Sequence, residues 1–504
     1  MGKTTDILKS GLLLSAVAIL MRTVGVGFNA YLKGQLGESG MGLVSLTMSV
    51  YGFAVTFATS GIALSVTRLV AEALGRKDRN EAAGVMRAAV KYALFFGLLA
   101  GTVLFFGSDG IATGLLGDLR TRPSLRLLAF SLPPIALSSV FSGYFVAVRR
   151  VRHNAITQLF EQAVRILLTV TLLSAFLPKG LEYACLAIVG GSSLAELFSF
   201  FLLLIQYLHD RRRALPFRKA RGKGLLKEVS AVALPTATAA WCRSGLLTAE
   251  HLLIPVCLAM GAFSRDEALA SYATIHGMAI PLVLWPAAIL TSFAGLLVPE
   301  VAESRSAEQY GHITRAMKKA ITGALLFSAA AAAVIASSAD ALGMLIYRSE
   351  EVGRYLKLLA PLIPVMYLDS VVDAFLKGLG KQVYCMGVNI ADAALAVLLV
   401  RLLLPRMGAI GYLPVIYITE IFNFLLSAGR LFALVKPPAE IGKSLLLCPL
   451  TALGIYLLQR RIFPPPDGLP ALLATSLFVI SGYLSVLLLS EAIDKKRRKP
   501  ELGG

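Results

Sequence analysis

Charged residues are scarce in this chain. Only 16% of its 504 residues are Asp, Glu, Lys or Arg, whereas 56% are hydrophobic, and soluble domains carry about a quarter charged residues. The apolar residues are clustered in runs such as 92–106 and 471–489. Because a helix needs roughly 20 mostly apolar residues to cross a bilayer, these runs predict membrane helices. The composition therefore predicts an all-α polytopic membrane protein and argues against a soluble domain.

The chain also lacks the motifs of several enzyme and cofactor classes. Its five cysteines are scattered, and no pair has the spacing of a metal or redox site. The nucleotide-binding sequence Gly-x-x-x-x-Gly-Lys-Ser/Thr is absent, which argues against ATP hydrolysis by this chain. No soluble basic segment is long enough to form a nucleic-acid-binding domain. We therefore expect no catalytic residue, no metal, no cofactor and no nucleic-acid partner.

Hydropathy predicts fourteen helices, separated by clusters of turn-forming or charged residues. They cover residues 8–33, 41–67, 86–107, 124–148, 155–178, 182–208, 228–256, 268–298, 315–338, 352–377, 382–404, 409–433, 441–460 and 469–490. Gly61 in the second helix and Pro286 in the eighth predict kinks, because glycine and proline are frequent causes of helix bending.

Basic residues outnumber acidic ones, with 49 Lys and Arg against 30 Asp and Glu. Most of them fall at the N-terminus, in the even-numbered loops and in the tail, and the densest runs lie at 211–223 and 495–499. Cytoplasmic loops carry the excess of Lys and Arg in membrane proteins. Both termini are therefore expected in the cytoplasm, with the protein in the cytoplasmic membrane of a bacterium.

Short sequence matches recur in the same order in the two halves of the chain. The matched pairs are 70–72 with 301–303, 125–129 with 356–360, and 196–200 with 420–424. Six helices in each repeat would make the repeats parallel, an arrangement typical of transporters with a substrate site between two lobes. The expected divisions are an N-lobe at 1–210, a basic loop at 211–227, a C-lobe at 228–436, two added helices at 437–492 and a basic tail at 493–504.

Several charged side chains fall inside the predicted helices, where each costs at least ~2.5–3.5 kcal/mol and needs a partner or a cavity. Glu161 and Arg165 are four residues apart, on one helix face, and are expected to form an ion pair. The intramembrane charges are candidates for ion coupling or for bonds between helices: Glu161, Arg165, Glu196, Glu250, Asp369, Asp373, Asp392 and Glu420.

Arg22 and Arg243 stand out because each lies midway along the first helix of its half and has no acid three or four residues away. A guanidinium group cannot lose its proton and presents a planar fork that suits phosphate. The two arginines therefore predict a cavity that binds an anionic ligand such as a diphosphate. The alternative is that both pair with acids on other helices.

Residues 253–303 carry a family resemblance. They read L-I-P-x-x-L-A-M-G, then E-A-L-A-S-Y, then G-M-A-I-P-L, and end L-V-P-E-V-A-E. This region, together with 20–26 and 40–44, resembles the stage V sporulation protein B group of polysaccharide and lipid-linked oligosaccharide flippases. That group belongs to the multidrug/oligosaccharidyl-lipid/polysaccharide exporter superfamily.

The resemblance implies a two-lobed, V-shaped helical fold with a central cavity, and a lipid-linked sugar diphosphate as cargo. In related lipid II flippases the last two helices form a groove for the lipid tail, which residues 441–490 would form here. Those relatives also carry cavity arginines on the first, second and eighth helices. Arg22 matches the first, no arginine matches the second, and His276 stands near the third position. The expected partners are the lipid-linked substrate, membrane lipids and the machinery of cell-wall or polysaccharide synthesis.

Other functions stay open on the sequence. An antiporter for drugs or cations in the same superfamily would carry an acid on its first helix, where this chain has Arg22. A membrane glycosyltransferase or ligase would need catalytic groups in a large outer loop, and the longest one here, about 107–124, has two acids and no histidine. A scaffold or an uncoupled scramblase is the remaining alternative.

Overall fold

The computed structural model describes residues 2–150, 152–214, 224–261, 264–437, 439–463 and 468–498, a part of the chain that is almost entirely helical and has no β-strand. The expected basic loop at 211–227 and basic tail at 493–504 lie partly outside those residues. The membrane-length helices are α1 (residues 2–36), α2 (38–75), α3 (Arg79–Phe106), α4 (Arg122–Ala147), α5 (Arg152–Phe176), α6 (Leu181–Ala214), α7 (Leu225–Ala259), α8 (265–306), α9 (Tyr310–Leu342), α10 (Glu350–Gly378), α11 (Gln382–Met407), α12 (Tyr412–Leu434), α13 (Ala439–Ile462) and α14 (Gly468–Arg498).

The fourteen predicted helices are all present in the described part of the chain. Thirteen helical stretches there are long and apolar enough to span a membrane. One of them, Val17–Gly75, has 59 residues, or about 90 Å of helix against a hydrocarbon core of ~30 Å, so it holds two crossings, α1 and α2. Gln382–Leu434 likewise holds α11 and α12, whereas α8 is split into two stretches. The predicted all-α polytopic fold is therefore confirmed.

Glycine and proline residues place the breaks between and within these helices. Gly37 separates α1 from α2 with φ 71° and ψ −178°, and Gly408 separates α11 from α12 with φ 64° and ψ −154°. That backbone region is essentially restricted to glycine. Gly61, with φ 77°, breaks α2, and Pro286, which has no N–H to donate, breaks α8. Both predicted kinks are confirmed.

Replacing Gly61 with alanine is expected to destabilise the protein by about 1–3 kcal/mol through backbone strain alone. A β-carbon at this position would also collide with the carbonyl oxygen of Ala233. Gly52→Ala on the same helix is the matched control, because a β-carbon added there would have no atom within 4 Å and alanine favours helix by about 0.5–1 kcal/mol. Thermal unfolding of the purified variants measures both; equal melting temperatures would contradict the expectation.

The described helices gather into two compact units, and the chain crosses between them twice. One unit comprises Met1–Gln35 with Ser271–Gly504, and the other comprises Leu36–Ala270. This division differs from the expected lobes at 1–210 and 228–436. The first helix of each half packs with the helices of the other half, so that α1 belongs with α8–α14 and α7 belongs with α2–α6.

In the unit Leu36–Ala270, aromatic and backbone contacts fix α7 against α2 and α3. The ring of Trp241 on α7 stacks on Phe57 of α2 at 4.7 Å between centroids. The Thr248 hydroxyl donates to the Ser49 carbonyl at 3.3 Å. Gly61 allows the backbone of α7 to approach closely. These contacts join residues that are nearly 200 positions apart in the chain. Comparing the two sequence repeats does not reveal such contacts.

In the other unit, polar side chains of α1 bond to backbone carbonyls of later helices. Asn29 Nδ2 donates to the Gly277 carbonyl in α8 at 3.3 Å, and Lys33 Nζ donates to the Tyr347 carbonyl after α9 at 2.7 Å. Further along the chain, α9 packs against α10, α13 and α14. The two added helices predicted at 437–492 are therefore an integral part of this unit.

Candidate functional site

A cavity of about 1210 Å³ lies within the unit formed by residues 1–35 and 271–504. Its walls come from α1, α8, α9, α13 and α14, and most of the lining side chains are Leu, Ile, Val, Ala or Phe. The only charged side chains among its described lining residues are Lys318 on α9 and Lys443 on α13. The cavity is therefore an apolar chamber whose fixed charge is positive.

The cavity extends along the helices rather than across them. On α9 the lining runs from Lys318 to Ser338 and beyond, about 30 Å of helix and roughly the thickness of a bilayer's hydrocarbon core. Lys318 lies in the third turn of α9 and Lys443 in the second turn of α13. If every helix crosses the membrane, α9 and α13 run in the same direction, so both lysines lie at one end of the cavity.

Arg22 lies half-buried beside this cavity, at the break in α8. Its guanidinium Nη1 donates a hydrogen bond to the carbonyl oxygen of Leu284. In a regular helix that carbonyl would accept from the amide of Ala288, but next to Pro286 the Ala288 amide bonds to Trp285 instead. Arg22 thus donates to the Leu284 carbonyl, which the break leaves without its usual helical partner. The partner of Arg22 is a backbone carbonyl and not an acid on another helix.

Two more side chains support the same break. The indole N–H of Trp285 donates to the Thr23 hydroxyl at 2.9 Å, and both residues line the cavity. The Tyr367 hydroxyl of α10 donates to the Val283 carbonyl at 2.5 Å. The interrupted α8 is therefore bonded to both α1 and α10, and it forms one wall of the cavity.

Arg243 and His276 occupy contrasting environments. Arg243 on α7 is exposed in the unit Leu36–Ala270 and makes no hydrogen bond or ion pair with the residues that the structure describes. His276 lies in a π-helical segment of α8, Ala273–Ala279. Its ring stacks on Tyr272 at 4.9 Å, and its Nε2 shares a hydrogen bond with the Tyr412 hydroxyl at 2.8 Å. Arg22 and Arg243 thus belong to different units.

Known proteins match the chain along most of its length. The sequence profile of the family described as "Polysaccharide biosynthesis protein" matches residues 7–293, more than half of the chain. The chain belongs to this family. Stage V sporulation protein B of Bacillus subtilis (strain 168) is 26% identical over 412 residues, covering 80% of this chain and 79% of that protein. The lipid II flippase MurJ of the same strain is 21% identical over 417 residues, covering 76% and 74%.

Solved structures of transporters share the fold of this polysaccharide biosynthesis family member. The lipid II flippase MurJ in an inward closed conformation superposes with a TM-score of 0.73 at 13% identity, covering 96% of this chain and 100% of that one. An inward-facing multidrug resistance MATE family transporter gives a TM-score of 0.66 at 14% identity, covering 84% and 98%. The fold is therefore that of the exporter superfamily named by the sequence resemblance.

In the unit Leu36–Ala270 of this family member, intramembrane charges form a network across α2, α4, α5 and α6. Arg165 Nη2 lies 2.5 Å from Glu161 Oε1, as the spacing of four residues predicts. The Tyr51 hydroxyl donates to Glu196 Oε2 at 2.6 Å and also contacts the Ser131 hydroxyl. Arg165 and Glu161 both interact electrostatically with Glu196. Arg165 thus pairs with Glu161, whereas Glu196 is held by the Tyr51 hydroxyl.

The other acids are more dispersed. Glu420 on α12 has Asp369 and Asp392 as its acidic neighbours. Asp373 pairs with Lys377 at 3.0 Å on the same helix, which favours a structural role. Glu250 on α7 is buried. Among the described residues, no three His, Cys, Asp or Glu side chains lie close enough together to hold a metal ion.

The sequence interpretation did not single out Lys318, Lys443 or Tyr367. The two lysines lie near predicted helix starts, where Lys and Arg mark the orientation of the loops. Tyr367 is one of 16 tyrosines and has no charge to mark it. A sequence signal exists for Lys318, because Thr322 lies four residues later and therefore on the same helix face.

Proposed function

We propose that this protein is a flippase that moves a polyprenyl-diphosphate-linked sugar, a polysaccharide or peptidoglycan precursor, from the inner to the outer leaflet of the membrane. The observation that carries this proposal is the apolar cavity bounded by α13 and α14. At about 1210 Å³ it exceeds the roughly 300–1,000 Å³ of most small-molecule sites, as a long hydrocarbon chain requires. A relative over most of the chain is named a lipid II flippase.

The physical problem is that a polar headgroup must cross ~30 Å of hydrocarbon while its tail stays in an apolar environment. In the proposed mechanism the tail occupies the cavity and the headgroup contacts fixed cations during alternating access. Arg22 can bind a phosphate oxygen as well as the Leu284 carbonyl, because a guanidinium has five N–H donors. Arg243 is exposed and supplies a second cation, and His276 supplies a ring nitrogen.

An antiporter for organic cations is the second candidate, because multidrug transporters share the fold. The charges of the cavity argue against it. Two lysines and no acid line the cavity within the described residues, so a cationic ligand would meet like charges. A chamber that binds a lipid tail beside an anionic headgroup needs positively charged side chains such as these lysines. The relatives and structures whose names state an activity are a flippase and a transporter rather than enzymes, and we propose no catalytic activity.

The orientation and energy supply are also proposals. The excess of Lys and Arg in the even-numbered loops supports a cytoplasmic position for both termini. Single cysteines at Thr113, which is exposed in the outer loop at about 107–124, and at Arg213, each in a cysteine-free background, should then react with an impermeant thiol reagent from opposite sides. Energy would come from an ion gradient, with Asp369, Asp392 and Glu420 as candidate coupling groups, or from enzymes of cell-wall or polysaccharide synthesis that consume the product. Transport with and without an imposed gradient distinguishes the two.

Reconstitution into liposomes tests the function and the role of the cavity together. The purified protein should expose a labelled lipid-linked oligosaccharide to an enzyme added outside the vesicles. Gly323→Trp should reduce this exposure severalfold, because Gly323 lines the cavity and an indole there would occupy part of the space of the tail. A β-carbon added at Gly323 would have no atom within 4 Å, so the variant should fold normally.

Gly387→Trp is the matched control. Gly387 lies on α11, is exposed, does not line the cavity and has equally open space around it. Its transport should equal that of the unmodified protein. Equal loss in both variants would show that the cavity is not specifically involved. A protein that moves small organic cations and never this lipid would support the antiporter instead.

A further inference from the structure

The charged end of the apolar cavity has the chemistry of a phosphate site. Lys318 and Thr322 are four residues apart on α9 and both line the cavity, so they share one helix face. Lys443 and Ser444 line it from α13. Two ammonium groups and two hydroxyls thus border the same end of the chamber. An ammonium group offers three donors and a hydroxyl one, which suits the oxygens of a phosphate.

The Thr322 hydroxyl provides an independent indication of a ligand. Its Oγ1 is buried and has no hydrogen-bond partner among the described residues. Most serines and threonines of these helices donate to a carbonyl three or four residues earlier, as Thr451 on α13 does at 2.7 Å. A buried hydroxyl without a partner is costly. Because Thr322 also lines the cavity, rotation about its Cα–Cβ bond would turn the hydroxyl from this buried position towards a ligand oxygen, which would satisfy it.

We propose that Lys318, Thr322, Lys443 and Ser444 form a site that binds the diphosphate of a prenyl lipid whose chain fills the cavity. This inference rests on the proposed function, because the chain-binding role of the cavity is part of it. It adds selection: the site distinguishes a prenyl diphosphate from a neutral prenol of the same length. The lysines hold the diphosphate at the end where α9 and α13 begin, before the headgroup crosses.

Charge complementarity determines which ligand fits the charged end of the cavity best. A prenyl diphosphate combines a long apolar chain with a compact group of two or three negative charges, which matches an apolar chamber with two cations at one end. Lysine near a helix end often extends its ammonium group to the membrane surface and contacts phospholipid headgroups. A phospholipid such as phosphatidylglycerol carries one negative charge, so it would engage this pair of lysines less strongly than a diphosphate does.

Trp285 allows binding to be measured directly, because it lines the cavity and is one of only two tryptophans. In a Trp241→Phe background, its fluorescence should respond to geranylgeranyl diphosphate and to geranylgeraniol, which has the same chain. The diphosphate should bind at least about tenfold more tightly, the ratio expected when charge-assisted contacts are added. Lys318→Gln combined with Lys443→Gln should abolish this ratio and leave the affinity for geranylgeraniol unchanged.

Lys319→Gln is the matched control, since Lys319 neighbours Lys318 on α9, is exposed and does not line the cavity; it should retain the full ratio. If the Lys318→Gln/Lys443→Gln variant retains the tighter binding of the diphosphate, this inference is overturned while the proposed function still stands. Equal displacement of the diphosphate by phosphatidylglycerol, or by inorganic pyrophosphate, which has no chain, would overturn it in the same way. A Trp285 signal that responds to neither prenyl compound would instead count against the lipid cavity, and therefore against the proposed function.

Discussion

Replacing Arg22 with alanine is expected to lower both the thermal stability of the protein and its lipid transport, whereas Arg243→Ala is expected to lower transport alone. The difference follows from their environments. Arg22 donates to the Leu284 carbonyl at the break of α8, and a hydrogen bond to a charged group contributes about 1.5–3 kcal/mol. Arg243 is exposed, so its removal leaves no buried group unsatisfied. Thermal unfolding and liposome transport of both variants measure the two effects.

Lysine at position 22 is the informative control. It keeps a positive charge and a donor that can reach a carbonyl, but loses the planar fork that binds phosphate through two bonds. Arg22→Lys should therefore recover more of the stability than of the transport. The interpretation is contradicted if Arg22→Ala unfolds at the temperature of the unmodified protein, or if both alanine variants transport normally.

Local features of the fold were predictable from the sequence. The helices follow from apolar runs, the kinks from Gly61 and Pro286, and the Glu161–Arg165 pair from a spacing of four residues. Each of these depends on residues within one helix. The periodicity and the residue types within a single helix are therefore enough to predict these features.

Long-range features were not predictable in the same way. The expected lobes followed the sequence repeats, yet α1 packs with the second half of the chain through contacts such as Asn29 to Gly277, 248 residues apart. The partner of Arg22 is a backbone carbonyl 262 residues away, and no pattern of side chains marks a carbonyl. Lys318 and Lys443 similarly line the same cavity only because α9 and α13 pack against each other.

The Glu161–Arg165 pair carries the second large expected effect. Arg165 compensates Glu161 directly and lies near Glu196, and the pair is only 26–29% exposed. Arg165→Leu removes the cation and leaves two carboxylates close together in an apolar environment. Breaking a fully buried pair in this way typically costs about 3–5 kcal/mol, and this partly buried pair should cost less than that. We therefore expect the largest loss of thermal stability among single variants of this network, measured by unfolding of the purified protein.

The double variant Glu161→Leu with Arg165→Leu separates structure from transport. Replacing both partners of a buried pair with apolar residues is often neutral or stabilising, so the double variant should regain most of the lost stability, and a double-mutant cycle gives the interaction energy. If transport returns together with stability, the Glu161–Arg165 pair has a purely structural role, which is to link successive turns of α5. If the protein is stable but does not transport, one of the two charges acts in the transport cycle, and Glu161→Gln with Arg165 retained identifies whether it is the carboxylate. A double variant as unstable as Arg165→Leu would contradict the assignment of Glu161 as the principal partner, and would point to Glu196, held by Tyr51, as the charge that Arg165 chiefly compensates.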